Sequence, residues 1–176
     1  MPAALALDLT AAAPTGRPHL PYLRRQLARA HRILRPALRE LSIALVGDRR
    51  MADLHQRFMG LPGPTDVLTF ELDYDDRGRV TAGEVVVCVP HAARLAHAAR
   101  IPLRDELLLY AVHGMLHLAG FDDRTDRDFA AMHQREDDIL QRLGVGAVFS
   151  RGAAAAATAA ARTAARRRRH KGGTSR

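Results

Sequence analysis

The sequence predicts a small α+β domain in which a mixed sheet packs on helices, and three observations carry that prediction. Apolar residues recur at helical intervals in several segments. Short strand-like runs, bounded by Gly, Pro and Asp turns, lie between them. The resulting order is helix, strand, helix, strand, strand, then three helices. A chain of 176 residues, 47% hydrophobic and 26% charged, is long enough to bury one sizeable core.

Each element follows from its residues. Leu5, Leu7 and Leu9 form a loose alternation that suits a short first strand. From Pro21, Leu23, Leu27, Ala30 and Leu34 repeat at three and four, an amphipathic helix that Pro36 ends or kinks. Leu41–Val46 reads as a strand, with Gly47-Asp48 as its turn and Asp48 as the cap of a helix over 49–58. After a loop at Pro62, Gly63 and Pro64, strands are expected over 67–72 and 84–89, joined by an Asp- and Gly-rich turn. Pro90 closes the second strand and opens a helix near 91–100. Pro102 starts another helix, which runs through Leu118 and stops at Gly120. The last body helix, 126–143, carries Phe129, Met132, Ile139 and Leu143 on one side. Residues 1–149 are thus expected to form one domain. Residues 150–176 are an Ala/Arg-rich low-complexity basic tail, high in helix propensity but too poor in large apolar side chains for a core. That tail is expected to be disordered or partly helical.

Composition removes several classes. No apolar run reaches the roughly 18–20 residues of a membrane-spanning helix. No basic residue precedes the apolar part of residues 1–14, as a secretory signal requires. The single cysteine, Cys88, cannot form an internal disulfide and sits in an apolar strand as a core residue. A cytoplasmic protein without a membrane partner is the expectation. The net charge of +8 lies wholly in residues 151–176, which hold seven Arg and Lys171 but no acid. Residues 1–60 are polarised as well, with ten Arg against four acids. Arg25, Arg29 and Arg32, flanked by Arg24, Arg35 and Arg39 at helical spacings, form one candidate phosphate-binding face. Arg166, Arg167, Arg168 and Arg169 form a second.

The stretch that carries chemistry is His113-Gly-Met-Leu-His117-Leu-Ala-Gly120-Phe-Asp122-Asp123. On a helix, His113 and His117 share one face, so two imidazoles can reach one ion. Gly120 lets the backbone leave through a left-handed turn that brings residues 121–123 back toward them, where Asp123 or Asp122 can supply an oxygen. Two imidazoles and a carboxylate suit zinc, with a fourth position left for water. The helix is otherwise apolar at Leu107, Leu108, Leu109, Val112 and Leu116, so two unpaired histidines on it would be costly. Gly114 occupies the place of the Glu that His-Glu-x-x-His metalloproteases use as general base, which makes a metalloprotease the weakest reading.

These residues resemble the signature of the YbeY endoribonucleases, bacterial rRNA maturation factors, which reads His-Gly-x-Leu-His-Leu-x-Gly-Tyr-Asp-His. Pro64-Thr65-Asp66-Val67-Leu68-Thr69-Phe70 resembles that family's Pro-Thr-Asp-Val-Leu-Ser-Phe strand, and Gly83-Glu84-Val85 its Gly-Asp-Ile strand start. Glu106-Leu107 and the Met132, Glu136, Ile139-Leu140 set also fall at the family's offsets, so the resemblance covers about residues 40–144. It implies a small zincin-like fold and a zinc-dependent endoribonuclease that prefers single strands and acts in rRNA maturation and ribosome quality control or assembly. It also implies one Zn2+ per chain, with ribosomal RNA and small-ribosomal-subunit proteins as partners. Carried over by position, the metal ligands are His113, His117 and Asp123, where Asp stands in place of the family's third His. Met59 stands where the family often has an Arg, and Arg57, two residues earlier, is this chain's candidate catalytic cation for transition-state charge. The family's Asn falls on His55. A ribosome-assembly factor that binds rRNA or a ribosomal protein without cutting is the competing reading.

Overall fold

The computed structural model describes residues 5–171, with side chains through residue 163. Strand β1 (Ala6–Ala11) leads through a 3-10 turn (Pro14–His19) into α1 (Leu20–Leu34), β2 (Glu40–Val46) and α2 (Asp48–Met59). The chain continues as β3 (Val67–Tyr74), β4 (Val80–Cys88), α3 (Val89–Ala99), α4 (Leu103–Leu118), α5 (Asp126–Arg142) and α6 (Val148–Lys171). The expected α+β class holds. The strands form one mixed sheet in the order β1-β2-β4-β3, with β1, β2 and β4 parallel and β3 antiparallel to β4 on one edge. Parallel neighbours need helical crossovers, which α1 supplies between β1 and β2.

Two local expectations change. Strand β4 starts at Val80 rather than at residue 84, because its hairpin with β3 continues down to the Tyr74–Val80 pair. Gly47, not Asp48, caps α2, and no side chain serves the cap. Asp48 is the first helical residue, and its carboxylate instead accepts from Arg94 (3.2 Å) and from the Cys88 thiol (3.3 Å). The Arg94 hydrogen bond holds that carboxyl below the usual range. Cys88 is buried and free, a core residue as read, and burial pushes its thiol up to about 11.

Strand alternation divides the core between two faces of the sheet. Ile43, Leu45, Val85 and Val87 point to the side covered by α1 and α4, against which α5 packs. Val46, Leu68, Val86 and Cys88 point the other way, where Met51 and Leu54 of α2 cover them. Helix α4 is the hub of the larger layer. Leu107, Leu108, Met115 and Leu116 are fully buried, each contributing about 1.5–3 kcal/mol by leaving water. Its N-terminus is tied to α1 by Tyr22, whose hydroxyl donates to Asp105 at 2.7 Å.

Two glycines set how closely α4 approaches the sheet. A Cβ added at Gly114 would lie 2.5 and 2.6 Å from the two methyls of Val85. One added at Gly83 of β4 would lie 2.5 Å from Leu118. Both neighbours are buried, and Val85 is stiff at χ1, so neither side can yield cheaply.

The Ala/Arg segment is helical from Val148 to Lys171, so the 149/150 boundary expected from composition falls inside α6. Its start is anchored by Asp137 of α5, which accepts from Phe149 N (3.0 Å), from Ser150 N (3.2 Å) and from the Ser150 hydroxyl. Val148 is buried in the main core. Small residues such as Gly152 and Ala156 then let α6 lie over an apolar cleft of about 330 Å³ walled by Leu95, Leu109, Tyr110 and His133. The small side chains of this helix leave the cleft beneath it unfilled, so α6 is held chiefly at its start, by Asp137 and by the burial of Val148.

Gly114→Ala is expected to keep the fold but to lower stability by about 1–3 kcal/mol through overpacking against Val85. Denaturant unfolding checks this, and an unchanged midpoint would contradict the close approach.

Candidate metal centre

Helix α4 ends in a turn built by Gly120, whose φ of +92 only glycine adopts without strain. Gly120 N donates to His117 O at 2.9 Å, and Phe121 N donates to Leu116 O at 3.0 Å. This pair of bonds is the Schellman closure of a helix C-terminus. It turns the chain back over the last turn of α4 and delivers Asp123 to the histidine pair, as the glycine placement predicts.

His113 Nε2 and His117 Nε2 lie 3.0 Å apart. Asp123 Oδ2 is 3.8 Å from the first and 3.7 Å from the second. Of the two carboxylates the sequence left open, Asp123 faces the pair. Asp122 accepts from Asp123 N and pairs with Arg124 at 3.1 Å instead.

The far side of each ring decides what these nitrogens present. His113 Nδ1 is 2.5 Å from Glu136 Oε1, and His117 Nδ1 is 3.1 Å from the Phe121 carbonyl oxygen. Both partners accept only, so each Nδ1 carries the proton and each Nε2 presents a lone pair. Two lone pairs and a carboxylate oxygen therefore converge on one point. Such an arrangement is repulsive without a cation or a proton among them. Three donors on an ion at 2.0–2.1 Å in tetrahedral geometry sit about 3.3 Å apart, and 3.0, 3.7 and 3.8 Å bracket that value. The residues fit a divalent ion of borderline softness.

The protonation energetics agree. Burial opposes charge on His113, but the Glu136 hydrogen bond and charge, followed by Asp123 and Asp66, outweigh it and raise the ring's pKa above its ordinary value. Burial likewise pushes the Glu136 carboxyl up, yet hydrogen bonds from His113 and His133 outweigh it and leave the carboxyl below its usual range. Glu136 is 1% exposed and also takes a 2.7 Å hydrogen bond from His133 Nδ1 through its second oxygen. Neither residue was singled out for chemistry from the sequence. The signal available was Glu136 at a family offset, with His133 three residues before it on the same helix face.

The other candidate residues lie elsewhere. Arg57 is exposed on α2, its guanidinium 5.6 Å from the Phe58 ring centroid, and Phe58 meets Phe70 on the sheet face away from α4. No contact joins Arg57 to the histidine pair among the described residues. Met59, at the family's Arg position, is 60% exposed. His55 Nδ1 hydrogen-bonds the Gly63 carbonyl at 2.8 Å. Arg25 is exposed over the Tyr22 ring. Arg29, Arg32 and Arg35 line a polar hollow that Arg142 of α5 completes, a contribution that helix spacing could not show. The side chains of Arg166, Arg167, Arg168 and Arg169 lie outside the described residues.

Fold and donor set define a small α+β protein with a candidate mononuclear metal site. Comparison with known proteins gives the family. The family model described as endoribonuclease YbeY matches residues 22–144. A protein of Thermobifida fusca named Endoribonuclease YbeY is 40% identical over 127 residues, covering 65% of this chain and 82% of that one. Proteins of the same name are 40% identical in Rhodococcus opacus, over 57% of this chain and 61% of the relative, and in Mycobacterium tuberculosis H37Rv, over 58% and 63%. Against those two, the match spans less than two thirds of the relative's length. The solution structure of TM1509 from Thermotoga maritima is similar at a TM-score of 0.53 and 26% identity, covering 77% of this chain and 90% of that one. The chain belongs to the endoribonuclease YbeY family.

The pKa directions make metal retention pH-dependent with a defined sign. In the metal-free protein, raised His113 stabilises the fold fully below the ordinary His value and loses that contribution as pH rises through its folded value. Depressed Glu136 contributes above the ordinary Glu value and loses its share as pH falls through its folded value. An ion displaces the proton, so a chelator should strip it more readily as pH falls through His113's raised value. Equal retention at pH 6 and pH 8 would contradict this assignment.

Proposed function

We propose that this chain is a zinc-dependent endoribonuclease that cuts single-stranded segments of ribosomal RNA during its maturation. The activity is carried over from the family. The observation that supports it here is the convergence of two imidazole lone pairs and a carboxylate oxygen at the end of α4. His113, His117 and Asp123 would hold one zinc ion, which supplies Lewis acidity to a phosphodiester in the cleft. Asp123 is about a third exposed, so the site is open on the side from which a strand would approach. Arg29, Arg32, Arg35 and Arg142 form a separate basic hollow suited to backbone phosphates, and the arginines of 166–169 add sequence-independent attraction. Proteins of the small ribosomal subunit are the proposed docking partners. No helix among the described residues is long and apolar enough to cross a membrane.

Arg57 bears on the mechanism. It is exposed on α2 with its guanidinium over the Phe58 ring, so as the proposed cation for transition-state charge it would have to swing from there to reach the phosphate. That favours, as second reading, an assembly factor that binds rRNA or a ribosomal protein without cutting it. A metalloprotease finds no support. Residue 114 faces Val85 and Thr69 at van der Waals contact or closer, which leaves no room there for a general-base glutamate.

Incubation of the zinc-loaded chain with a single-stranded rRNA fragment decides between the readings. The expected result is cleavage that a chelator abolishes and zinc restores. Salt-sensitive binding without cleavage by the loaded protein would overturn the nuclease reading in favour of the assembly factor.

A further inference from the structure

We propose that Glu136 is a positioning residue for the metal ligand His113, held in place by His133 and, through it, by Phe149 of the tail helix. The proposal rests on the reading of His113 as a ligand and extends it to residues that touch no ion.

Glu136 Oε1 accepts a hydrogen bond from His113 Nδ1 at 2.5 Å, and its Oε2 accepts one from His133 Nδ1 at 2.7 Å. The carboxylate is 1% exposed, so both oxygens depend on these two donors in place of water. A buried carboxylate bonded to Nδ1 fixes the tautomer and tilt of the ring and leaves Nε2 as the metal-facing atom. Without it, His113 is free to take its proton on Nε2, where it would oppose a cation.

The same three residues also satisfy the bare requirement for a second metal cluster, since their donor atoms lie within 4.8 Å of one another. The distances decide against it. Contacts of 2.5 and 2.7 Å are hydrogen-bond lengths, whereas ligands of one tetrahedral ion stand about 3.3 Å apart.

His133 is itself confined. Its ring stacks on Phe149 with centroids 3.6 Å apart and planes 2° from parallel, and Phe129 meets it edge-on at 4.1 Å. Asp137, the neighbour of Glu136, holds the backbone of Phe149 and Ser150. The Ala/Arg helix thus begins on the residues that orient the ligand. Phe149, His133, Glu136 and His113 form a continuous contact path from α6 to the metal point.

The test is zinc affinity by chelator competition, together with the visible spectrum of the cobalt-loaded protein, for Glu136→Gln. Gln keeps the size but places a donor where one histidine needs an acceptor. Zinc affinity is expected to fall roughly tenfold to a hundredfold, with a shifted cobalt spectrum. Should Glu136→Gln fail to fold, His133 carries the test. His133→Phe is expected to weaken zinc binding, and His133→Gln, which keeps a donor for Oε2, to restore much of it. Wild-type affinity and spectrum in Glu136→Gln or in His133→Phe would overturn the proposal. His117→Ala separates the two levels of the argument: zinc binding that survives there overturns the ligand reading, whereas loss there beside intact Glu136→Gln overturns only the positioning role.

Discussion

The close approach of α4 to the β4 strand is the constraint on which the rest of the site depends. Gly83 and Gly114 remove the two Cβ atoms that would hold helix and sheet apart, and Leu118 and Val85 fill the space left. With one side of α4 pressed on the sheet, His113 and His117 can only face outward, toward α5 and the returning loop. Their side chains keep 16% and 28% of their surface exposed on a helix that is otherwise almost wholly buried. A side chain at 114 would push α4 away from Val85 and shift His113 relative to Glu136 on α5, while the local contact of His117 with the Phe121 carbonyl would move with the helix.

Hydrogen bonding on the far side of each ring then converts position into chemistry. The Phe121 carbonyl that orients His117 belongs to the same turn that Gly120 makes possible, so one glycine both ends the helix and supplies an acceptor. Glu136 does the corresponding work for His113 from a different helix. The two acceptors are unlike: one is a neutral dipole at a half-exposed position, the other a buried carboxylate. His113 is accordingly the more strongly held ring, and its raised pKa records the same negative surroundings that favour a cation at Nε2.

Much of this was legible in the sequence because it is local. The four-residue spacing of the histidines, the glycine break and the acidic pair beyond it specify a helix end with three converging donors whatever the rest of the fold. The larger elements followed from apolar periodicity, with boundaries displaced where tertiary pairing intervened, as in the four extra residues at the start of β4. What could not be read is what helix packing alone creates. Glu136 lies 23 residues from His113 and reaches it only because α5 lies across α4. Arg142 joins the α1 arginines for the same kind of reason. Composition marks the Ala/Arg segment as a low-complexity tail, and hydrophobicity counts do not register the hydrogen bonds by which Asp137 of α5 anchors its start. Arg57 stands two residues before the family's Arg position, on α2, which covers the sheet face opposite α4, and which way its guanidinium turns is set by the Phe58 ring and not by sequence spacing.

The central claim is that a carboxylate, Asp123, completes a metal site with two imidazoles. Zinc content after dialysis against metal-free buffer, measured on the wild-type chain beside Asp123→Ala, tests it most directly. The account predicts about one zinc per wild-type chain and loss of most of it in the variant. A wild-type chain that emerges without metal, or a variant that keeps its zinc, would contradict it.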